Sequence, residues 1–200
     1  MFLIRVCGAL LLAAAIGSAP LAQGEIPSRA ERLIAHGGVG RLRLGMTLDE
    51  ARRAVPAATF KRASDGDGAA LVEVRLSPTG TLIVSAGEDD PDAPIDWRRA
   101  IRAIETRAPE FHTADGVHPG SLVKDVIKVY GAVKTIIESE VESRQYIAFD
   151  NQPEWLILRL DYTGIFANGA HVTRQYDPAA RIYSIAISAE TGSNRGLTPV

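Results

Sequence analysis

Gly40-Arg41-Leu42-Arg43-Leu44-Gly45-Met46-Thr47-Leu48-Asp49-Glu50-Ala51 and Gly116-Val117-His118-Pro119-Gly120-Ser121-Leu122-Val123-Lys124-Asp125-Val126 follow one plan. In each, a short extended stretch ends at a glycine with a hydroxyl residue close behind. A brief amphipathic segment with an acidic residue in its first turns then begins. The step from Gly45 to Gly120 is nearly matched by the steps from Ile101 to Ile182 and from Ile104 to Ile185, so the likeness spans most of the chain. The expected fold is α+β. It comprises two tandem repeats, residues 40–108 and 109–200, each a short helix followed by about four antiparallel strands, with a tail at the end of the second.

Local signals fill in the plan. Thr47 and Glu50 form a capping box, Leu48, Ala51 and Val55 share a face, and Pro56 stops the helix. Strands are expected at 59–63, 70–76 and 81–85; Val72, Val74 and Leu76 alternate onto one face, and Ser77-Pro78-Thr79-Gly80 makes a turn. The segment 95–108 is ambiguous, because Trp97, Ile101 and Ile104 have helical spacing. Its alignment with the β-branched run Arg181–Ile187 instead predicts a strand from Ala100 to Arg107. In the second half Ser121 is expected to cap a helix with Leu122, Val123, Val126, Ile127 and Tyr130 on its buried stripe, ended by Gly131. Strands follow at 134–142, 145–150, 154–162 and 180–188.

Residues 1–24 read as a secretory signal: a cationic start with Arg5, an uncharged Leu/Ala-rich run, and then small residues. The mature chain is expected to begin near Gln23 or Glu25 and to be periplasmic or secreted, with no membrane span. Residues 25–39 are expected as a leader or linker, and Gly37-Gly38-Val39-Gly40 as flexible connection. Cys7, the sole cysteine, lies inside the signal, so a processed chain has no disulfide, thiolate metal site or cysteine nucleophile. Losing Arg5 takes the formal charge from −2 to −3, which gives no electrostatic footprint for nucleic acid.

Gly45-Met46-Thr47 opening a short helix, with a tandem copy that begins around Gly120, resembles the superfamily that includes β-lactamase inhibitory protein and the outer-membrane assembly lipoprotein BamE. The resemblance implies a non-enzymatic exported protein that presents a sheet surface to another protein. Two features depart from the pattern: no lipobox precedes Cys7, and no cysteines are present for the inhibitor's disulfides. Thr113-Ala114-Asp115-Gly116-Val117-His118-Pro119-Gly120-Ser121 also resembles a segment of uncharacterised proteobacterial exported proteins.

Several clusters could carry chemistry. His112, Asp115 and His118 offer imidazole and carboxylate to a metal or a proton relay, although the segment also reads as the turn into a helix. His112, His171 and Asp161 could converge through the fold. Glu88-Asp89-Asp90-Pro91-Asp92 and Asp65/Asp67 supply hard oxygen ligands without the ordered spacing of a calcium loop, and read rather as solvated turns. The connection from Thr163 to Pro178 is long for a compact domain. It carries Phe166, His171, Arg174 and Tyr176, which with Trp155 form the candidate binding set, since aromatics and Arg dominate interface energetics. The alternative for this stretch is a further strand at 171–176 with Val172 and Tyr176 in the core. No Gly-x-Ser-x-Gly elbow, phosphate loop or cofactor fingerprint is present. The expected function is therefore non-enzymatic binding of a protein of the cell envelope, without cofactor, through a sheet face and the 163–178 loop. The alternatives are a metal-assisted hydrolase and a small-ligand or lipid carrier.

Overall fold

The computed structural model describes residues 28–139 and 144–189. The expected signal segment, the end of the strand expected at 134–142 and the carboxy-terminal tail lie outside them. The chain begins with a 3-10 turn at Arg29–Arg32, where Ser28 and Glu31 form a capping box. Strands β1 (Leu33–Ala35), β2 (Gly38–Val39) and β3 (Leu42–Arg43) follow, then helix α1 (Leu48–Ala54). Next come β4 (Thr59–Ser64), β5 (Ala70–Arg75), β6 (Thr81–Glu88), β7 (Ala103–Thr106) and β8 (His112–Thr113). After helix α2 (Val123–Tyr130) stand β9 (Val133–Glu138), β10 (Gln145–Phe149), β11 (Leu156–Leu160), β12 (Gly164–Ile165), β13 (Val172–Thr173), β14 (Gln175–Tyr176) and β15 (Ile182–Ser188).

This corrects the expected fold class. The chain is mostly β, with only two α-helices, of seven and eight residues, among the described residues. It does not divide into two helix-plus-four-strand units with sheets of their own. A single nine-stranded antiparallel sheet runs β13-β9-β10-β11-β15-β7-β6-β5-β4, and the two halves of the chain meet inside it. There β7 pairs with β15, setting Ile104 against Ile187 and Thr106 against Ile185. A second sheet, β3-β2-β1-β8, includes a parallel β1–β8 pair, and β12 with β14 forms a small ribbon.

The likeness of the two halves survives as a local clip. Gly45 N–H donates to the Ile101 carbonyl, Ile101 N–H to Met46 and Leu48 N–H to Arg99. At the corresponding positions of the second half, Gly120 donates to Ile182, Ile182 to Ser121 and Val123 to Ala180. Each clip fastens the start of a helix to the chain just ahead of one of the two paired strands. Gly45 (φ 85°) and Gly120 (φ 92°) both need the positive φ that glycine adopts without strain.

Packing follows strand alternation. Val72 and Val74 of β5, Leu82 and Val84 of β6, Ile104 of β7 and Ile185 and Ile187 of β15 point to one side. There they join Leu48 and Ala51 of α1 and Val123 and Val126 of α2 in one hydrophobic cluster. The segment 95–108 forms the strand expected from its partner and not a helix; Trp97 is left outside β7, packed edge-on against Phe60 at 5.7 Å. The stretch expected as a leader supplies core instead: β1 and β2 bury Ile34 and Val39, and Gly37-Gly38-Val39-Gly40 is their hairpin. Gly40 (φ 56°) lies so close to the Glu31 carbonyl that a side chain there would collide with it. Ser121 does not cap α2. Leu122 occupies that position, and the Ser121 hydroxyl accepts from His118 N–H at 3.0 Å.

The acidic run at 88–92 is organised by one partly buried ion pair. Arg62 meets Glu88 through two hydrogen bonds of 2.7 and 2.6 Å, and also donates to the carbonyls of Ala93 and Pro94. Glu88 accepts from Asp96 N–H as well, so this carboxylate ties β4 and β6 to the loop that leads to β7. The Arg62 hydrogen bond, more than any other contact, holds the Glu88 carboxyl below its ordinary value of 4.5. A carboxylate more acidic in the folded chain stabilises the fold above its unfolded pKa and loses that contribution as pH falls through the folded one. Glu88→Gln is therefore expected to cost about 2 kcal/mol near neutral pH. In chemical denaturation followed from pH 7 to pH 3, the gap between variant and parent should close at the acid end.

Candidate functional site: a trough on the open face of the large sheet

Residues that alternate away from the core form the other face of the large sheet. Register carries residues across it in neighbouring rows: Tyr146 opposite Arg159 and Arg159 opposite Ser184 in one, and Ile157 opposite Ala186, Ala186 opposite Glu105, Glu105 opposite Ile83 and Ile83 opposite Glu73 in the next. Small residues, Ala63, Ser85 and Ala103 among them, lie beside these rows and line a trough of about 910 Å³.

The trough exists because the sheet curls. Arg144, at the entrance to β10, contacts Asp65 at 3.1 Å and Asp67 at 3.6 Å in the turn between β4 and β5. In sheet order β10 and β5 are five strand spacings apart, about 24 Å across a flat sheet. No Arg–Asp pair reaches that far, so the sheet must bend until its flanks approach. Ala63, Ser85, Ala103 and Ala186 on the inner face leave room for the bend. Burial works against ionisation of Asp65, yet the N–H of Ala69, the Arg144 guanidinium and the N–H of Asp67 together hold its carboxyl below the ordinary range.

On the trough wall Arg159 donates to Glu105 at 3.0 Å, and Arg107 approaches the same carboxylate at 3.9 Å. Both guanidinium groups also lie against the Tyr183 ring, at 4.7 Å for Arg107 and 5.5 Å for Arg159. Tyr183 sits at an irregularity in the β11–β15 register, where Arg159 faces Ser184 and Leu160 faces Ile182. This extra residue brings the ring to the two arginines.

The residues singled out from sequence lie elsewhere. His112 and His118 each engage a neighbouring carbonyl through Nδ1, of Thr113 and Pro119. Asp115 accepts from the Tyr130 hydroxyl at 3.3 Å; burial, with help from the Asp115 charge, pushes that hydroxyl's pKa up. Among the described residues no three His, Cys, Asp or Glu side chains are grouped to hold a metal ion, and His112, His171 and Asp161 form no such set. Trp155 stacks obliquely on His36 at 5.9 Å.

The 163–178 connection resolves into short strands. β13 adds to the edge of the large sheet beside β9, and β12 pairs with β14. Phe166 and Tyr176 lean on the core, Arg174 donates to the Lys134 carbonyl, and His171 is exposed. The apolar surface offered to solvent there comes instead from Tyr162, Ile165 and Val172.

The chain matches no protein-family model and no curated protein. Its fold is similar to that of the uncharacterized protein yfeY from Escherichia coli, seen in a crystal structure. The two share a TM-score of 0.50 and 10% identity over 76% of this chain and 97% of that one. At that identity the likeness concerns the fold alone.

The contact that bridges the trough can be tested by a double-mutant cycle on Asp65→Asn and Arg144→Gln. A partly buried charged pair of this kind should show a coupling of about 1 kcal/mol in urea denaturation. Simple additivity of the two substitutions would mean that the flanks of the sheet do not meet.

Proposed function

We propose that this chain is an exported binding protein, not an enzyme, that takes its partner on the concave face of the large sheet. The observation that carries the reading is the trough itself. A concave site lined largely by apolar and small residues, with a few convergent polar groups, is the usual form of a binding site. Its ionisable side chains are engaged with each other, Glu105 with Arg159 and Asp65 with Arg144. That arrangement favours recognition over a nucleophile–base pair. The signal-like organisation of residues 1–24 supports placement in the envelope, and the resemblance carried by Gly45-Met46-Thr47 points to the same class.

The 163–178 loop contributes a second contact in this reading, through Ile165 and Val172 and with the neighbouring Tyr162. Alanine at Phe166 or Tyr176 would damage packing as well as any contact, so those positions report on stability first.

Photo-crosslinking in the cells that make the protein tests the proposal. A benzophenone side chain replacing Ser85 on the trough floor should give a covalent adduct that one replacing Lys124, on the exposed side of α2, does not. Absence of an adduct at Ser85, or equal adducts at both positions, would remove the trough as the binding face.

A further inference from the structure

The charges of the trough are unevenly shared. At the Tyr183 corner two guanidinium groups, of Arg107 and Arg159, compete for the single carboxylate of Glu105. At the opposite rim one guanidinium, of Arg144, faces both Asp65 and Asp67. Among the described residues, the first corner is left with a positive excess and the second with a negative one.

The positive corner is also the deeper. Arg159 is only 8% exposed, and among the described residues its Nε finds no hydrogen-bond partner. The hydroxyl of Ser184, directly opposite it across β11 and β15, is likewise buried and without a partner among them. Buried polar groups usually find partners. Arg159 lines the trough, with the buried Ser184 behind it, and an unsatisfied guanidinium there under an excess of positive charge marks a place where an anion would be held. Low-dielectric walls strengthen that attraction, and guanidinium matches the geometry of a carboxylate. Beside the corner Ala186, Ala103, Ile83 and Leu71 lead away toward β5, with Ser85 and Glu73 among them.

We infer that the trough receives a small amphipathic carboxylate, its acidic head at Arg107 and Arg159 and its apolar body along Ala186, Ala103, Ile83 and Leu71. This rests on the trough being the binding face and adds the chemistry of what binds there. Glu105 occupies in the free protein part of the charge that the ligand head takes up, so it acts as a resident competitor. Recognition of this kind discriminates an acid from an uncharged molecule of equal length.

Dodecanoate and dodecan-1-ol, both below their aggregation limits, provide the test with the purified protein, read by calorimetry and amide NMR shifts. Dodecanoate should bind about tenfold or more tightly than the alcohol, with shifts at Glu105, Ser184 and Ala186. Arg107→Gln, at a side chain exposed enough to leave folding intact, should abolish most of that preference. Glu105→Gln should instead strengthen dodecanoate binding, which a merely structural role for Glu105 would not produce. Equal affinity for the two probes, with shifts in the trough, would overturn the anionic head while leaving the trough as a binding face. Shifts confined to other parts of the molecule, or an unchanged preference in Arg107→Gln, would overturn the assignment of the corner.

Discussion

Four register pairs between Ala103–Thr106 and Ile185–Ser188 hold the two halves of the chain in one sheet. Without this seam β7 and β15 would each be an exposed edge with unpaired backbone groups, a form that folded proteins avoid. With it, hydrogen bonding runs from β13 to β4, and the buried side chains of both halves become one cluster. The clips at Gly45 and Gly120 place each helix against the strand that enters the seam. The helices, short as they are, therefore pack where the sheet most needs cover.

A sheet this wide does not stay flat, because each strand is twisted relative to its neighbour. Here the curvature is strong enough for Arg144 to reach Asp65, 79 residues away in sequence. The division of labour between the two faces follows from it. The convex side has room for Leu, Ile and Val beneath the helices, and the concave side carries Ala, Ser and Thr alongside its charged and larger side chains. The trough, the uneven sharing of carboxylates among its arginines and the buried hydroxyl of Ser184 are all consequences of bending a continuous sheet.

Some of this is legible in the sequence and some is not, for definite reasons. The Thr47–Glu50 capping box is a local hydrogen-bond pattern, and it forms as read. Val72 and Val74 alternate, and both are buried. The strand at Ala103–Thr106 emerges from comparison with Ile182–Ile187 where its own spacing misleads. The seam is invisible, since pairing between segments so distant in sequence leaves no periodic trace in either. The small sheet of two- and three-residue strands is too short for any period, which is why 33–39 reads as leader. Aromatic and basic residues at 163–178 suggest a surface, but composition does not say which side a ring faces, and Phe166 and Tyr176 turn inward. The trough leaves little mark because its residues come from six segments scattered along the chain, many of them Ala, Ser and Thr. Arg144 and Arg159 gain meaning only once the register brings Glu105 and Ser184 beside them, and the alternation of β6 and β7, followed on its polar side, is the one available hint.

The curl of the single sheet can be measured directly by paramagnetic relaxation. A nitroxide attached through Asp67→Cys, in a chain whose Cys7 is removed or replaced, would sit at the rim of the trough as the only thiol-linked label. A curled sheet gives strong broadening of the amide signals of Gln145 and Tyr146 at the far flank. A sheet that ran flat from β10 to β4 would leave those two signals sharp, a result that a curled sheet excludes.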